Sequence, residues 1–536
     1  MRKSLFLFAA LIAAAFTAPE IRAQNNSTVE PEVELPSFVI VGYRTFVFPE
    51  MKKLGAKPLP ALTDDVLRPD LTNDYPRALR FEDTYKAGPD LKDSSLILNG
   101  FVEGTAGNIY IPSGELRVSI PLGNAFMSGE FAGFSMRGYL PNADEVYGKG
   151  NLGIKIFSDD KGGVLPGAEY FVNLGYNINS FKFFASPKAD SGRVLSNANT
   201  EIGFRNLKAK EIQYGASVKG SMADIGSTKF NESLIEFSGF LNTKLDFIEL
   251  FTDFYLVNQN LENGISAAQN IVYSKFSAMG GFNINNTMRL FGGVEYASVD
   301  SVFSLKPKVS FSMKFVNGLY LIASYNPVYK YYSQSALLNG NRYYSPGQAA
   351  YFIEKQEHVL NAAIRYEYMK YFSVVAGAEY SKSDNLPFYE ETPGGGFFTL
   401  ASASAEALSG YVNVAVNPGP LGKFAGEVKY NRVTLDDGKI FPYKPEFQIT
   451  AEYGKTLLDH ITFDVSVSYM TGRYTDKTNN TLIKDFLNIS GGVDLAIDQQ
   501  FSVIGRIHNL LNADNYMWNG YQLPGYMISG GVNLRF

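Results

Sequence analysis

The chain has 536 residues, 45% of them hydrophobic and 14% aromatic, and a formal net charge of -5 at neutral pH. Its mean hydropathy is close to zero, and no uninterrupted apolar run of about 18 residues follows the amino-terminal stretch, which excludes a bundle of membrane-spanning helices. The acidic balance argues against nucleic acid as a partner, and the absence of cysteine removes disulfides, thiol chemistry and a lipidated cysteine anchor.

The amino terminus reads as a secretory signal peptide over residues 1–23: Arg2 and Lys3, an apolar core over 5–18, then Ile21, Arg22 and Ala23 before Gln24. The core is short for a full span, which weighs against a membrane anchor as the alternative. Cleavage after Ala23 is expected. From 24 to 94 the composition changes, with Pro31, Pro36, Pro49, Pro58, Pro60, Pro69, Pro76 and Pro89 interrupting any regular element. A Pro-rich periplasmic segment, extended or loosely folded, is the expectation. Within it lies one apolar island containing Phe38, Val39, Ile40 and Val41. Such an island serves either as a short strand against a sheet edge or as a peptide offered to an inner-membrane partner by strand addition.

From 95 to 536 the chain becomes a succession of segments of about 8 to 12 residues with period two, the repeat of tilted membrane-spanning strands. In the clearest, Ile461, Phe463, Val465, Val467 and Tyr469 alternate with Thr462, Asp464, Ser466 and Ser468. Comparable segments occupy 487–497, 447–453, 424–430, 374–380, 362–368, 309–315 and 290–296; many end in Tyr on the apolar face, where an interfacial aromatic girdle would lie. The 34 Tyr, 41 Phe and 50 Gly suit such strands. Outer-membrane barrels pair short periplasmic turns with longer external loops. With the carboxyl terminus in the periplasm, the links near 498–500, 454–460, 418–422, 369–371 and 316–318 are the short ones, and those near 512–526, 471–484, 432–445, 383–407 and 329–357 the long ones. The fold class is therefore all-β: a transmembrane antiparallel β-barrel of about 22 strands counted back to Glu115, with 96–106 left over as an extra strand. A soluble propeller or a tandem of sandwiches predicts neither the alternation of loop length nor the aromatic carboxyl terminus.

No catalytic set stands out, so neither an enzyme nor a cofactor is expected. The histidines His358, His460 and His508 are far apart and lack companion ligands at metal spacing. Charged residues on the polar faces, among them Arg365, Glu367, Glu379, Glu427, Lys429 and Asp464, are expected to face the lumen, because a charge at the lipid midplane costs about 2–4 kcal/mol. They form either a solvated wall or a polar grip on an amino-terminal segment or a partner's plug. The link after the strand near Leu319 is crowded with Tyr329, Tyr331, Tyr332, Tyr343 and Tyr344. A flat ring with a polar tip serves ligand recognition or the packing of a long loop.

The last strand puts Ile528, Val532, Leu534 and Phe536 on one face and Ser529, Asn533 and Arg535 on the other. Ser529, Gly531, Leu534 and Phe536 resemble the signal read by the outer-membrane barrel-assembly machinery. Residues 355–536 resemble the carboxyl-terminal part of TonB-dependent receptors: Asn509, Leu510, Leu511 and Asn512, then Tyr516, then Trp518 to Tyr521, then Pro524 and Gly525, follow that family's order before Phe536. Leu511 replaces the usual aromatic residue and Tyr526 the usual arginine. The resemblance implies a bacterial outer-membrane protein, seated in membrane lipid, that passes a bulky solute with energy from TonB, whose contact would be Phe38, Val39, Ile40 and Val41. The stretch between Gly42 and Leu96 is too short for that family's globular plug. The expectation is a receptor-like transporter with 24–94 as a reduced gate or, alternatively, a non-transporting docking barrel that holds a plug-supplying partner protein.

Overall fold

A strand crossing a bilayer must pair every backbone N–H and C=O with a neighbouring strand, and the sheet it belongs to must close on itself. The computed structural model shows such a closed sheet. It describes residues 100–536 apart from 159–164, 166, 207–210, 227, 229, 246–247, 263–268, 286, 301, 348–350, 369–370, 417–420 and 459. The signal peptide, the Pro-rich segment and the Phe38, Val39, Ile40 and Val41 island lie outside the described residues.

The strands are β1 (Gly100–Gly107), β2 (Tyr110–Leu122), β3 (Ala125–Met136), β4 (Glu145–Phe157), β5 (Glu169–Lys182), β6 (Gly192–Asn206), β7 (Ile212–Ile225), β8 (Phe230–Leu245) and β9 (Ile248–Glu262). There follow β10 (Gln269–Asn285), β11 (Met288–Val299), β12 (Val302–Val316), β13 (Leu319–Tyr325), β14 (Tyr329–Ser333), the short helix α1 (Gln334–Gly340), β15 (Tyr351–Tyr368), β16 (Phe372–Glu391), β17 (Phe398–Val416) and β18 (Lys423–Leu435). The last are β19 (Phe447–Leu457), β20 (Ile461–Met470), β21 (Arg473–Tyr474), β22 (Leu482–Ile483), β23 (Phe486–Ala496), β24 (Phe501–His508), β25 (Tyr516–Trp518), β26 (Tyr521–Gln522) and β27 (Met527–Arg535).

Twenty-three of these form one antiparallel sheet, and because β13 and β14 both lie along β15 they occupy one position, giving a barrel of 22 staves. β21–β22 and β25–β26 are separate small hairpins. The barrel closes where β27 pairs with β24 on one side and β1 on the other, Arg535 standing opposite Phe101 and Ser529 opposite Gly107. The segment that the sequence count leaves over is thus the first of the 22 staves, so those from β2 to β27 number 21, one fewer than the count back to Glu115. Of the outward positions of β1, Gly100, Val102, Gly104 and Ala106, only Val102 carries a large apolar side chain, so the alternation that marks the other strands is faint here.

Along β27 the outward residues Ile528, Val532 and Leu534 are 45–49% exposed, as a lipid-facing row must be in a protein stripped of lipid, whereas Ser529 and Asn533 are buried on the lumen side. The end carrying Phe536 has short turns at 317–318, 458–460 and 497–500, so it is the periplasmic end. Alternation of loop length holds in the carboxyl half and weakens earlier: the periplasmic link 158–168 is long and the outer links 108–109 and 300–301 are short. The link expected at 383–407 is instead a tall hairpin, since β16 and β17 run 20 and 19 residues and only 392–397 turn between them. A span needs about 9–11 residues. Above the bilayer neither face has to be oily, so Ser381, Lys382, Ser383 and Asp384 continue the strand without an apolar face and read as loop in sequence. A bulge between Ser383 and Leu386, with Asn385 at φ 57°, marks the change.

The closing seam is tight. A Cβ on Gly531 would lie 2.1 Å from the Gly104 carbonyl oxygen, whereas one on Gly530 meets nothing nearer than 3.8 Å. Gly531→Ala is therefore expected to cost about 1–3 kcal/mol of overpacking at the seam and to reduce the fraction of heat-modifiable, folded barrel in gel electrophoresis, while Gly530→Ala leaves it unchanged.

Candidate functional site

Period-two alternation delivers polar side chains to the lumen from every stave, and the lumen wall is the first part of the site. Arg365 and Glu367 project inward from β15, Glu379 from β16, Glu427 and Lys429 from β18, and Asp464 from β20. Many of the charges find an opposite partner on the same strand or within two staves. Arg365 pairs with Glu367, Lys429 faces Glu379, and Asp464 lies beside Arg506, which pairs with Asp494. Elsewhere Lys149 and Glu130 are 2.7 Å apart, Lys219 and Glu236 2.9 Å, Arg205 and Glu169 3.1 Å, and the buried Lys308 and Glu295 2.8 Å. Local neutralisation of this kind leaves no single-sign ring of the sort that selects ions.

The second part is a cap. Residues at the outer ends of the staves and in the outer links turn inward and pack into one apolar cluster, which includes Phe181, Phe183, Leu337, Tyr343, Tyr344, Tyr389, Phe398, Trp518 and Tyr521. These come from β5, the link after β5, α1 and its following loop, β16, β17 and the β25–β26 hairpin, so the cluster joins opposite sides of the mouth. Tyr343 stacks on Tyr521 with ring centroids 3.5 Å apart. Arg193 of β6 donates from Nη1 to the carbonyls of Arg342 at 2.9 Å and Tyr344 at 2.5 Å, and its guanidinium lies 4.6 Å from the Phe183 ring centroid. Arg342 in turn reaches Glu145 of β4 at 2.5 Å. The Tyr521 hydroxyl donates to the Gly396 carbonyl at 2.5 Å, the Tyr389 hydroxyl to the Leu337 carbonyl at 2.6 Å, and Asn519 to Glu391 at 2.7 Å.

Helix α1 is anchored at its start. Ser333 caps it by accepting from the Ala336 N–H, and the carboxylate of Glu232, 1% exposed at the outer end of β8, accepts from the N–H groups of Gln334 at 2.8 Å and Ser335 at 2.7 Å and from Gln259 Nε2 at 2.5 Å. A carboxylate at the start of a helix satisfies donors that have no partner within the helix. In the loop beyond, burial pushes the Tyr343 hydroxyl above its ordinary range despite the neighbouring Arg342, so it stays protonated and donor-competent.

Of the crowded tyrosines, Tyr329, Tyr331 and Tyr332 lie on β14, and Tyr343 and Tyr344 are 3% and 2% exposed inside the cap. Tyr331 donates to Gln259 and Tyr332 to Glu354. Sequence reasoning singles out neither Arg193, Arg342 and Glu232 nor Phe398 as site residues. The signal in reach was the density of aromatics in outer links that have no period. His358 contacts Tyr325, His508 contacts Ser490, and His460 sits in the periplasmic turn before β20, so the three stay apart.

Beneath the cap, between β15 and β23, the wall encloses a chamber of about 390 Å³ lined by polar wall residues together with Leu386, Val433, Met470, Phe486 and Met517. The closed seam, the lipid-facing row and the charged lumen define a transmembrane β-barrel of the outer-membrane type. Its fold is that of the TonB-dependent receptor barrel. The FrpB iron transporter from Neisseria meningitidis superposes with a TM-score of 0.63 at 10% identity over 82% of each chain. The ferric-catecholate import receptor Fiu from Escherichia coli K12, in its closed form, gives 0.62 at 10% identity over 82% of each chain. The copper transporter OprC gives 0.60 at 11% identity over 82% of this chain and 80% of that one. No protein-family model and no curated protein matches the sequence. At these identities the likeness is one of fold.

Glu232→Ala would leave its buried donors without an acceptor, at about 1–3 kcal/mol for each. The expected outcome is faster amide exchange across 334–344 with the staves still protected, read by hydrogen–deuterium exchange.

Proposed function

We propose that the chain is a bacterial outer-membrane transporter that passes a bulky solute through its barrel, with TonB as the energy source. The observation that carries this reading is the cap: a wide, charged lumen is sealed on the outside by loops that fold over it. Opening it exposes large apolar side chains at about 1.5–3 kcal/mol each, so releasing four of them costs about 6–12 kcal/mol. Such a mouth stays shut at rest and opens only when binding or transmitted energy supplies the difference. In this reading residues 24–94 form a reduced gate on the periplasmic side, Phe38, Val39, Ile40 and Val41 engage TonB, and Ser529, Gly531, Leu534 and Phe536 deliver the chain to the assembly machinery. The fold shared with iron and copper transporters supports it.

A docking barrel, held shut and used as a platform for a partner, is the second reading, because a sealed mouth suits it equally. A reversible lock separates the two. A Cβ on Gly520 would lie 3.1 Å from the Cβ of Ala185 across the mouth, and the native chain has no cysteine to interfere. In planar bilayers, an Ala185→Cys/Gly520→Cys variant lacking residues 24–94 is expected to be silent at rest, to conduct when reduced once urea loosens the cap, and to stay silent in the same urea when oxidised. Silence of the reduced variant in urea that leaves the barrel heat-modifiable removes the transport reading. In cells, deletion of 33–43 is expected to abolish uptake with the amount of barrel unchanged.

A further inference from the structure

The chamber beneath the cap contains a cation without a counter-charge. Arg473, at the start of the β21–β22 hairpin, is 1% exposed and lines the chamber's roof. Its Nη2 donates to the Tyr516 carbonyl at 2.5 Å, its Nη1 faces the Met517 thioether at 4.0 Å, and its Nε has no acceptor. Among the described residues no carboxylate pairs with it. Burial pushes the guanidinium down to about 10, so it remains charged at neutral pH. A buried charge lacking a partner is costly, and a guanidinium in apolar surroundings forms strong charge-assisted bonds with any anion that reaches it.

The rest of the chamber restricts what that anion is. Leu386, Val433, Met470 and Met517 surround the roof with apolar surface. Across the chamber, Glu354 projects from the outer end of β15, and the wall carries Glu379 and Glu427 together with Lys429 and Lys444. Glu354 is 1% exposed and its carboxylate is held by uncharged donors, accepting from the Tyr332 hydroxyl at 2.8 Å, the Ser383 hydroxyl at 2.9 Å and Gln356 Nε2 at 3.1 Å. Three carboxylates against two ammonium groups leave the lining other than Arg473 with a net negative charge, which disfavours a second negative charge at the far end of a ligand. We propose that the chamber binds small amphiphilic monocarboxylates, the carboxylate pairing with Arg473 and the apolar body lying along Leu386, Val433 and the two methionines.

This inference rests on the transport reading only in making the ligand a solute in passage. Binding without conductance in the locking experiment would leave the chamber standing and remove transport; conductance without binding would do the reverse. Trp518, the one tryptophan of the chain, follows Met517 and packs against Tyr443 at 4.8 Å between ring centroids, so its fluorescence reports on the roof. The full mature protein in detergent is titrated with hexanoate, its neutral analogue hexanamide, and the dicarboxylate adipate. Hexanoate is expected to shift the emission and to bind about tenfold more tightly than either of the others. Glu354→Gln, which keeps the shape, is expected to narrow the gap between hexanoate and adipate, and Arg473→Gln to abolish the preference for hexanoate over hexanamide in barrel that still shows heat-modifiable mobility. Equal binding of hexanoate and hexanamide by the native protein, or no response to hexanoate at millimolar concentration, overturns the proposal, whatever the folding of the variants.

Discussion

The constraint on which the rest of the molecule depends is the absence of a free strand edge. Lipid offers no hydrogen bonds, so the first and last staves have to find each other across the whole length of the chain. They do so through a ladder from Phe101–Arg535 to Gly107–Ser529. Backbones approach so closely here that Gly531 and Gly107 have no room for a side chain, a Cβ on either lying 2.1 Å from a carbonyl oxygen across the ladder. Asn533 adds a side-chain contact by donating to Glu103 at 3.3 Å on the lumen side. Local alternation makes strands, but only this long-range pairing makes a wall.

Closure at 22 staves has a consequence. A barrel of this girth encloses more space than its own inward side chains can fill, and its polar wall is satisfied locally by neighbouring charges of opposite sign. The pairs that reach lumen water, such as Lys219 with Glu236, add little stability, and the effect of the pairing is to let lumen charges sit on neighbouring strands without a net field. The space above is closed by another kind of interaction altogether. Aromatic burial supplies the energy of the cap, while Arg193, Arg342, Glu232 and Tyr521 fix its geometry by reaching across from one side of the mouth to backbone or side-chain partners on the other. Because those contacts join loops anchored on distant staves, the cap behaves as one packed unit, and its opening requires many of them to give way together.

Lumen and cap meet at the chamber between β15 and β23, where the polar alternation of the wall passes into the apolar underside of the lid. Here a buried arginine from the β21–β22 hairpin shares the chamber with Glu354 of β15 on the far side and with the mixed charges Glu379, Glu427, Lys429 and Lys444. The comparison structures share the barrel at 8–12% identity, far too distant for side chains to be carried over, and what this chain binds has to be argued from its own residues.

Much of the barrel was legible in the sequence, because a lipid-facing row and a lumen-facing row impose a period that any stave crossing the bilayer has to obey. Ile461 to Tyr469 and the terminal strand show it plainly, and the number of staves follows from counting such rows. The signal fails in two places: β1 has only Val102 among Gly100, Gly104 and Ala106 on its outer face, and the upper halves of β16 and β17, above the lipid, have water or cap on both sides, so neither announces itself. The lumen charges were legible for the same reason as the strands. The cap was not, since Phe181, Tyr343, Phe398 and Trp518 are separated by long stretches of chain and no local pattern says that they touch. Only the closure of the barrel brings their loops over one opening, and only there does burial give Glu232 and Arg473 their roles. Sequence by itself therefore determined that this chain is a barrel wall; the tertiary structure decided that the wall has a lid.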